Sequence, residues 1–155
     1  MTTYFLDSSA LIKRYVQERG SGWIRSLASP AAGHTWLLAR ATMVEVYSAV
    51  ARRAREGSVP AADCALAAEA FTAHALTQYD FVELDYRVIR RARQLLDRHV
   101  LRALDAIQIA SALIANDVLV ATASLPDLVF LSSDDRMNQV ALAEALAVDN
   151  PALHP

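Results

Sequence analysis

The sequence is poor in several residue types, and each shortage excludes something. It holds one cysteine, Cys64, in 155 residues. No intramolecular disulfide can form, and a reduced, cytoplasmic setting is expected. Four glycines and five prolines are too few for a collagen-like or low-complexity chain. Lysine is nearly missing, since Lys13 stands alone against 14 arginines. No stretch long enough to span a bilayer is free of charge, so no membrane association is expected. The nearest candidate, Ile107 to Ala123, carries Asn116 and Asp117 in its middle. Met1-Thr2-Thr3-Tyr4 puts no basic region ahead of an apolar run, so no signal peptide is expected either. A basic excess is absent as well. The net charge is −2 and the pI is near 6.0, which does not advertise a nucleic-acid binder.

What is present is apolar. Such residues make up 54% of the chain against 21% charged, enough to build a core and too little charge for disorder. The length suits a single domain over residues 1–155. Thr3 to Asp7 reads as a short buried strand closed by the polar cluster Asp7-Ser8-Ser9, and Ser8 or Ser9 can cap a helix over 10–16. Gly20-Ser21-Gly22 breaks that helix, and a short one follows from Trp23. Thr35 to Leu38 predicts a second strand. Thr42 and Glu45 have capping-box spacing ahead of a helix that ends at Gly57. Pro60 opens an alanine-rich helix to about Gln78. Phe81 to Leu84 is a third strand, and Asp85 caps a helix to about His99. A long apolar helix begins near Leu104, with Val118-Leu119-Val120 either continuing it or forming a strand. Leu128 to Ser132 is a strand, Ser133 or Asp134 caps a last helix, and Val148 starts an edge strand. Alternating strands and helices give an α/β class with a mostly parallel sheet. Active sites of such sheets lie outside the carboxyl ends of the strands.

Four carboxylates stand out on that rule. Asp7 and Asp134 end strands, while Glu45 and Asp105 sit on helices amid apolar neighbours. A carboxylate in apolar surroundings is costly unless paired, protonated or metal-bound. If the four met, they would repel unless cations neutralised them. Oxygen-only ligation suits Mg²⁺ or Mn²⁺, and no cluster of zinc spacing exists. The usual chemistry of such a site is phosphoryl transfer to water. Each acid also has a plainer role. Asp7 can cap the first helix, and Glu45 can complete the capping box. Asp105 can cap its helix or pair with Arg102. Asp134 or Asp135 can complement a helix dipole.

The motifs around these acids resemble those of PIN domains. Tyr4-Phe5-Leu6-Asp7-Ser8-Ser9-Ala10-Leu11-Ile12-Lys13 is similar to the family's opening, and Thr42-Met43-Val44-Glu45-Val46 to its middle segment. Leu101-Arg102-Ala103-Leu104-Asp105-Ala106-Ile107-Gln108-Ile109-Ala110 resembles the third acidic motif. Phe130-Leu131-Ser132-Ser133-Asp134 with Arg136-Met137 resembles the fourth. The spacings of 38, 60 and 29 residues also fit, and the resemblance covers essentially the whole chain. Small size makes it most similar to the VapC-type toxins of bacterial toxin–antitoxin pairs.

The resemblance implies a three-layer α/β/α fold with a short, mostly parallel central sheet. It implies a Mg²⁺- or Mn²⁺-dependent endoribonuclease in which Asp7, Glu45, Asp105 and Asp134 hold metal and metal-activated water attacks the phosphodiester in line. Ser9 would help order the first acid. Asp135 beside Asp134 leaves the fourth acid open. An RNA substrate, a separate antitoxin protein and a homodimer are the implied partners. Discounting the four ligands changes the net charge from −2 to +2, so RNA contacts would come from local arginines. Arg14, Arg52, Arg53, Arg55 and Arg102 are candidates, equally readable as solvated helix faces. The four histidines are scattered, and His99 alone lies near an acidic motif. Cys64 reads as a small core residue, and Trp23 and Trp36 as core or interface. The Pro60–Gln78 helix offers an apolar face for a partner. The alternative reading is a catalytically weak PIN-like module that acts through a protein or RNA partner. A phospho-acceptor signalling domain fits poorly, because it needs a late lysine and Lys13 is at the wrong end.

Overall fold

The computed structural model describes residues 1–123 and 128–154. Its centre is a five-stranded sheet in the order β3-β2-β1-β4-β5. The strands are β1 (Thr3–Leu6), β2 (Thr35–Ala39), β3 (Asp80–Val82), β4 (Leu128–Leu131) and β5 (Ala147–Asp149). Every pairing is parallel, so the sheet is wholly rather than mostly parallel. The first three strands step outward from β1 in one direction. The chain then returns to place β4 on the other side of β1. Strand order therefore reverses at β1, and the crevice at the β1–β4 carboxyl ends is where such sheets hold ligands.

Side chains alternate across the sheet and feed two cores. Phe5 and Phe130 lie opposite each other in register and stack at 6.0 Å on one face. There they meet α5 (Tyr86–Arg98), α6 (Ala103–Ala123) and α7 (Asp135–Ala143). Leu6 and Leu131, also in register, turn to the opposite face with Trp36 and Leu38. That face is covered by α1 (Ser8–Leu11), α2 (Ser21–Leu27), α3 (Thr42–Glu56) and α4 (Ala61–Thr77). Helices on both faces make the three-layer α/β/α architecture. By length and composition α6 could cross a membrane, but here Ala106, Ile109, Ala110 and Leu113 are buried in the core. Its helical state continues through Val118-Leu119-Val120.

Several local expectations need correction. The first helix is capped by Asp7, which has the extended backbone of a cap and accepts from the Ala10 N–H; Ser8 and Ser9 already lie inside it. The α-helix stops at Leu11 and tightens into a 3₁₀ turn over 12–14. Thr42 is not a cap. Ala41 precedes α3 with helical backbone angles and no side-chain cap bond, so the Thr42–Glu45 capping box does not form. Strand β3 starts one residue earlier than expected and ends at Val82. Asp85 and Asp134 do cap α5 and α7.

The carboxyl-terminal residues dock back on the start of the chain. Gly20 has φ +88°, and a Cβ there would sit 2.1 Å from the Pro151 carbonyl oxygen. His154 stacks flat on Trp23 at 4.0 Å. Nearby, Glu18 receives Lys13 and Arg53 together, so the single lysine is buried in an ion pair.

Candidate functional site

Strand β1 delivers Asp7 to the crevice. The residue is buried, 3% exposed, and its carboxylate is ringed by donors. Oδ1 accepts from the Ala10 N–H at 2.9 Å and the Ser9 hydroxyl at 2.8 Å. Oδ2 accepts from the Ser132 hydroxyl at 2.9 Å. Ser9 Oγ in turn accepts from the Ser133 N–H, and Ser132 Oγ from the Asp134 N–H. Asn138 holds the Ser132 carbonyl. The loop after β4 is thus tied to the loop after β1 through one carboxylate. Burial pushes the Asp7 carboxyl up to about 6, although these hydrogen bonds favour its charged form; Glu45 nearby adds to the rise.

Helices α3 and α6 bring in the next two acids. Glu45 lies in the first turn of α3 and Asp105 in the first turn of α6. Burial raises Glu45 above its ordinary value, the Gln108 amide lowers it, and the charge of Asp105 raises it again. Asp7, Glu45 and Asp105 therefore sit close enough to act on one another, from three separate segments.

Asp134 is linked differently. Its Oδ1 caps α7 by accepting from the Arg136 and Met137 N–H groups, and its Oδ2 pairs with Arg136 at 3.3 Å. Burial acts to raise it, but Arg136 and the helix N–H groups outweigh burial and hold it below its ordinary value. It joins the other acids through the Ser132 hydroxyl rather than by charge. Asp135 is exposed and accepts from Asn150 Nδ2 at 3.0 Å. Among the described residues, no three His, Cys, Asp or Glu side chains form a preformed metal cage.

The donor set nonetheless fits a hard divalent cation. It is all oxygen, it comes from carboxylates, and two of its acids already suffer from burial and mutual charge. A divalent ion removes both penalties at once.

The motifs contain or adjoin further residues of the site whose part in it they do not announce. Gln108, Thr42, Ser132 and Asn138 all bond into it and are all buried. The available signal is a lone polar residue in an apolar helical run: Gln108 lies one turn after Asp105. Other expected candidates fall elsewhere. His99 bonds Glu144 and ties α5 to the end of α7. Arg14 is spent on Tyr79 and Gln78, and Arg53 on Glu18. Arg52, Arg55 and Arg102 are exposed. Trp36 and Cys64 are buried core residues.

The chain is thus a parallel three-layer α/β/α domain with a buried carboxylate, Asp7, at its switch point. A family model for the PIN domain matches residues 4–143, and the chain belongs to the PIN domain family. No curated protein matches it by sequence. Similar solved structures include VapBC2 from Rickettsia felis bound to a DNA fragment from their promoter, at 10% identity and TM-score 0.62 over 96% of this chain and 98% of that one. FitAcB from Neisseria gonorrhoeae matches at 16% identity and TM-score 0.63, over 96% and 97%. A toxin–antitoxin complex from Klebsiella pneumoniae matches at 17% and 0.61, over 96% and 97%. At these identities the likeness is one of fold.

Proposed function

We propose that this PIN domain is a Mg²⁺- or Mn²⁺-dependent endoribonuclease and the toxin of a toxin–antitoxin pair. The observation that carries the reading is the buried Asp7 carboxylate at the sheet's switch point, fixed by Ser9 and Ser132, with the charge of Glu45 acting on it and that of Asp105 acting on Glu45. Asp7, Glu45, Asp105 and Asp134 are the residues that would hold the metal. Once bound, the ion supplies Lewis-acid polarisation of the phosphodiester and activation of water. The chain's own contribution is positioning. Ser9 and Ser132 orient the Asp7 carboxylate. Asp134 is kept ionised by its cap and Arg136, and would complete the metal-holding set.

The partners follow the same reasoning. A toxin–antitoxin complex from Klebsiella pneumoniae is among the solved structures similar in fold, which supports a separate antitoxin for this chain. Leu66 and Leu76 stand exposed on α4 and suit it. Tyr86, Ile89, Leu96 and Val100 form an exposed apolar stripe along and just beyond α5, which supports pairing with a second copy. RNA backbone contacts fall to the exposed Arg52, Arg55 and Arg102.

The test is incubation of total RNA with purified protein, with Mg²⁺, Mn²⁺ or chelator, beside Asp7→Asn. Metal-dependent cuts carrying 5′-phosphates and absent in the variant are expected. One observation favours a second reading, a binding module of weak activity: Asp134 is committed to its own helix. A folded, metal-loaded, partner-free protein that cuts no RNA would decide for that module.

A further inference from the structure

We infer that Gln108 is a positioning residue for Glu45, and that Thr42 in turn fixes Gln108. The inference rests on the nuclease reading above, in which Glu45 belongs to the site. Gln108 is 1% exposed and Thr42 is 0% exposed. A primary amide buried to this degree costs free energy unless its hydrogen bonds are made. Here they are made toward the site. Gln108 Nε2 donates to Glu45 Oε2, and also to Thr42 Oγ1 at 2.8 Å. The Thr42 hydroxyl reaches the other end of the amide, donating to Oε1 at 3.1 Å.

The chemistry fixes which way the amide faces. An ionised carboxylate only accepts, so the nitrogen must point at Glu45. Both hydrogens of that nitrogen are then used, one on each partner. The arrangement is crossed. Thr42 and Glu45 lie one turn apart on α3, and Asp105 and Gln108 lie one turn apart on α6. The charge of Asp105 acts on Glu45 while the amide one turn further along α6 holds it. Gln108 therefore sets where the Glu45 carboxylate stands, without itself touching a substrate.

Four variants and three readouts test this. Gln108→Met keeps the volume and deletes the amide. Gln108→Glu keeps the shape and turns the donor into a like charge. Thr42→Val removes the hydroxyl, and Thr42→Ser keeps it. Mn²⁺ affinity is read by electron paramagnetic resonance, and kcat and KM come from RNA cleavage. The Glu45 carboxyl carbon is followed by NMR in the metal-free protein and assigned with Glu45→Gln. With folding verified by circular dichroism, both Gln108 variants should lose about 10–100-fold in Mn²⁺ affinity and kcat, the usual range for removing a partner of a metal ligand. KM for RNA should hold, and the Glu45 resonance should move. Thr42→Val should shift all three the same way by less, and Thr42→Ser should restore them. A Glu45 resonance unmoved in Gln108→Met overturns the inference whatever the nuclease assay gives. If the Gln108 variants fail to fold, an unshifted Glu45 resonance and unchanged kcat in folded Thr42→Val do the same. Wild-type protein that neither binds Mn²⁺ nor cuts RNA overturns the nuclease reading instead.

Discussion

Ser132 and Asp7 stand 125 residues apart in the chain, yet the Ser132 hydroxyl donates to Asp7 Oδ2 at 2.9 Å. The same oxygen of Ser132 accepts the Asp134 N–H. One hydroxyl therefore serves a buried acid and the start of α7 together. Ser132→Ala should cost about 1–3 kcal/mol, the range for leaving a buried polar group unpaired. Urea unfolding in chelator measures it. An unchanged midpoint and slope would show that the bond contributes nothing net.

Asp7 makes the metal-free protein sensitive to pH. Its folded carboxyl is raised to about 6 from an ordinary 3.8. A raised acid binds a proton more readily when folded than unfolded, so stability falls as pH rises through that window. At about 1.4 kcal/mol per unit the penalty is about 3 kcal/mol at neutral pH. Asp7→Asn should abolish that part of the slope. In chelator the variant should be the more stable protein near pH 7 and should lose its advantage near pH 4. Denaturant melts of both proteins at the two pH values check this.

Mg²⁺ or Mn²⁺ should reverse the penalty in the wild type. An ion that binds only the folded state raises stability with its concentration. The melting temperature of the wild type should climb with added metal, and that of Asp7→Asn should stay flat. Equal rises in both would place the ion elsewhere.

Asp134→Asn and Asp135→Asn should separate the fourth acid from its neighbour. Asn caps a helix as well as Asp does, so neither change should lower stability by more than about 0.5 kcal/mol. Asp134→Asn should abolish RNA cleavage and Asp135→Asn should leave it near wild type. The reverse pattern would exchange their roles.

Gly20→Ala should destabilise by about 2 kcal/mol or more. It combines a left-handed backbone, which costs a side chain about 1–2 kcal/mol, with a Cβ pressed on the Pro151 carbonyl. Gly33→Ala has a similar φ of +66° but open space around it, so it should cost only the backbone part. Trp23 fluorescence should change in the Gly20 variant alone, because its stack with His154 depends on that docking.

The strands and the acids were legible because they are local. Short apolar and aromatic runs marked β1, β2 and β4, those of β1 and β4 end in polar clusters, and the strand-end rule then selected Asp7 and Asp134. The caps were less legible. Whether Asp7 or Ser8 caps α1 depends on which residue keeps an extended backbone, and Asp7 does, at ψ 172°. Composition offers both. Thr42 and Glu45 have the spacing of a capping box, but burial against α6 sends both to Gln108. That pairing spans 66 residues for Thr42, and nothing near Gln108 in sequence announces it beyond its polarity in an apolar run. Ser132 reads as turn chemistry for the same reason.

The order of the sheet also has a consequence in time. β1 is made well before β4, with β2 and β3 in between, yet β1 and β4 are neighbours. While the chain is still being made, Asp7 has its Ser9 and lacks its Ser132, and the central strand has only one flank. Domains fold as units once their parts are available. The acidic crevice is thus assembled only after β4 and the loop that follows it have been made. On the nuclease reading, a nascent chain that has not yet completed β4 is not equipped to cut RNA.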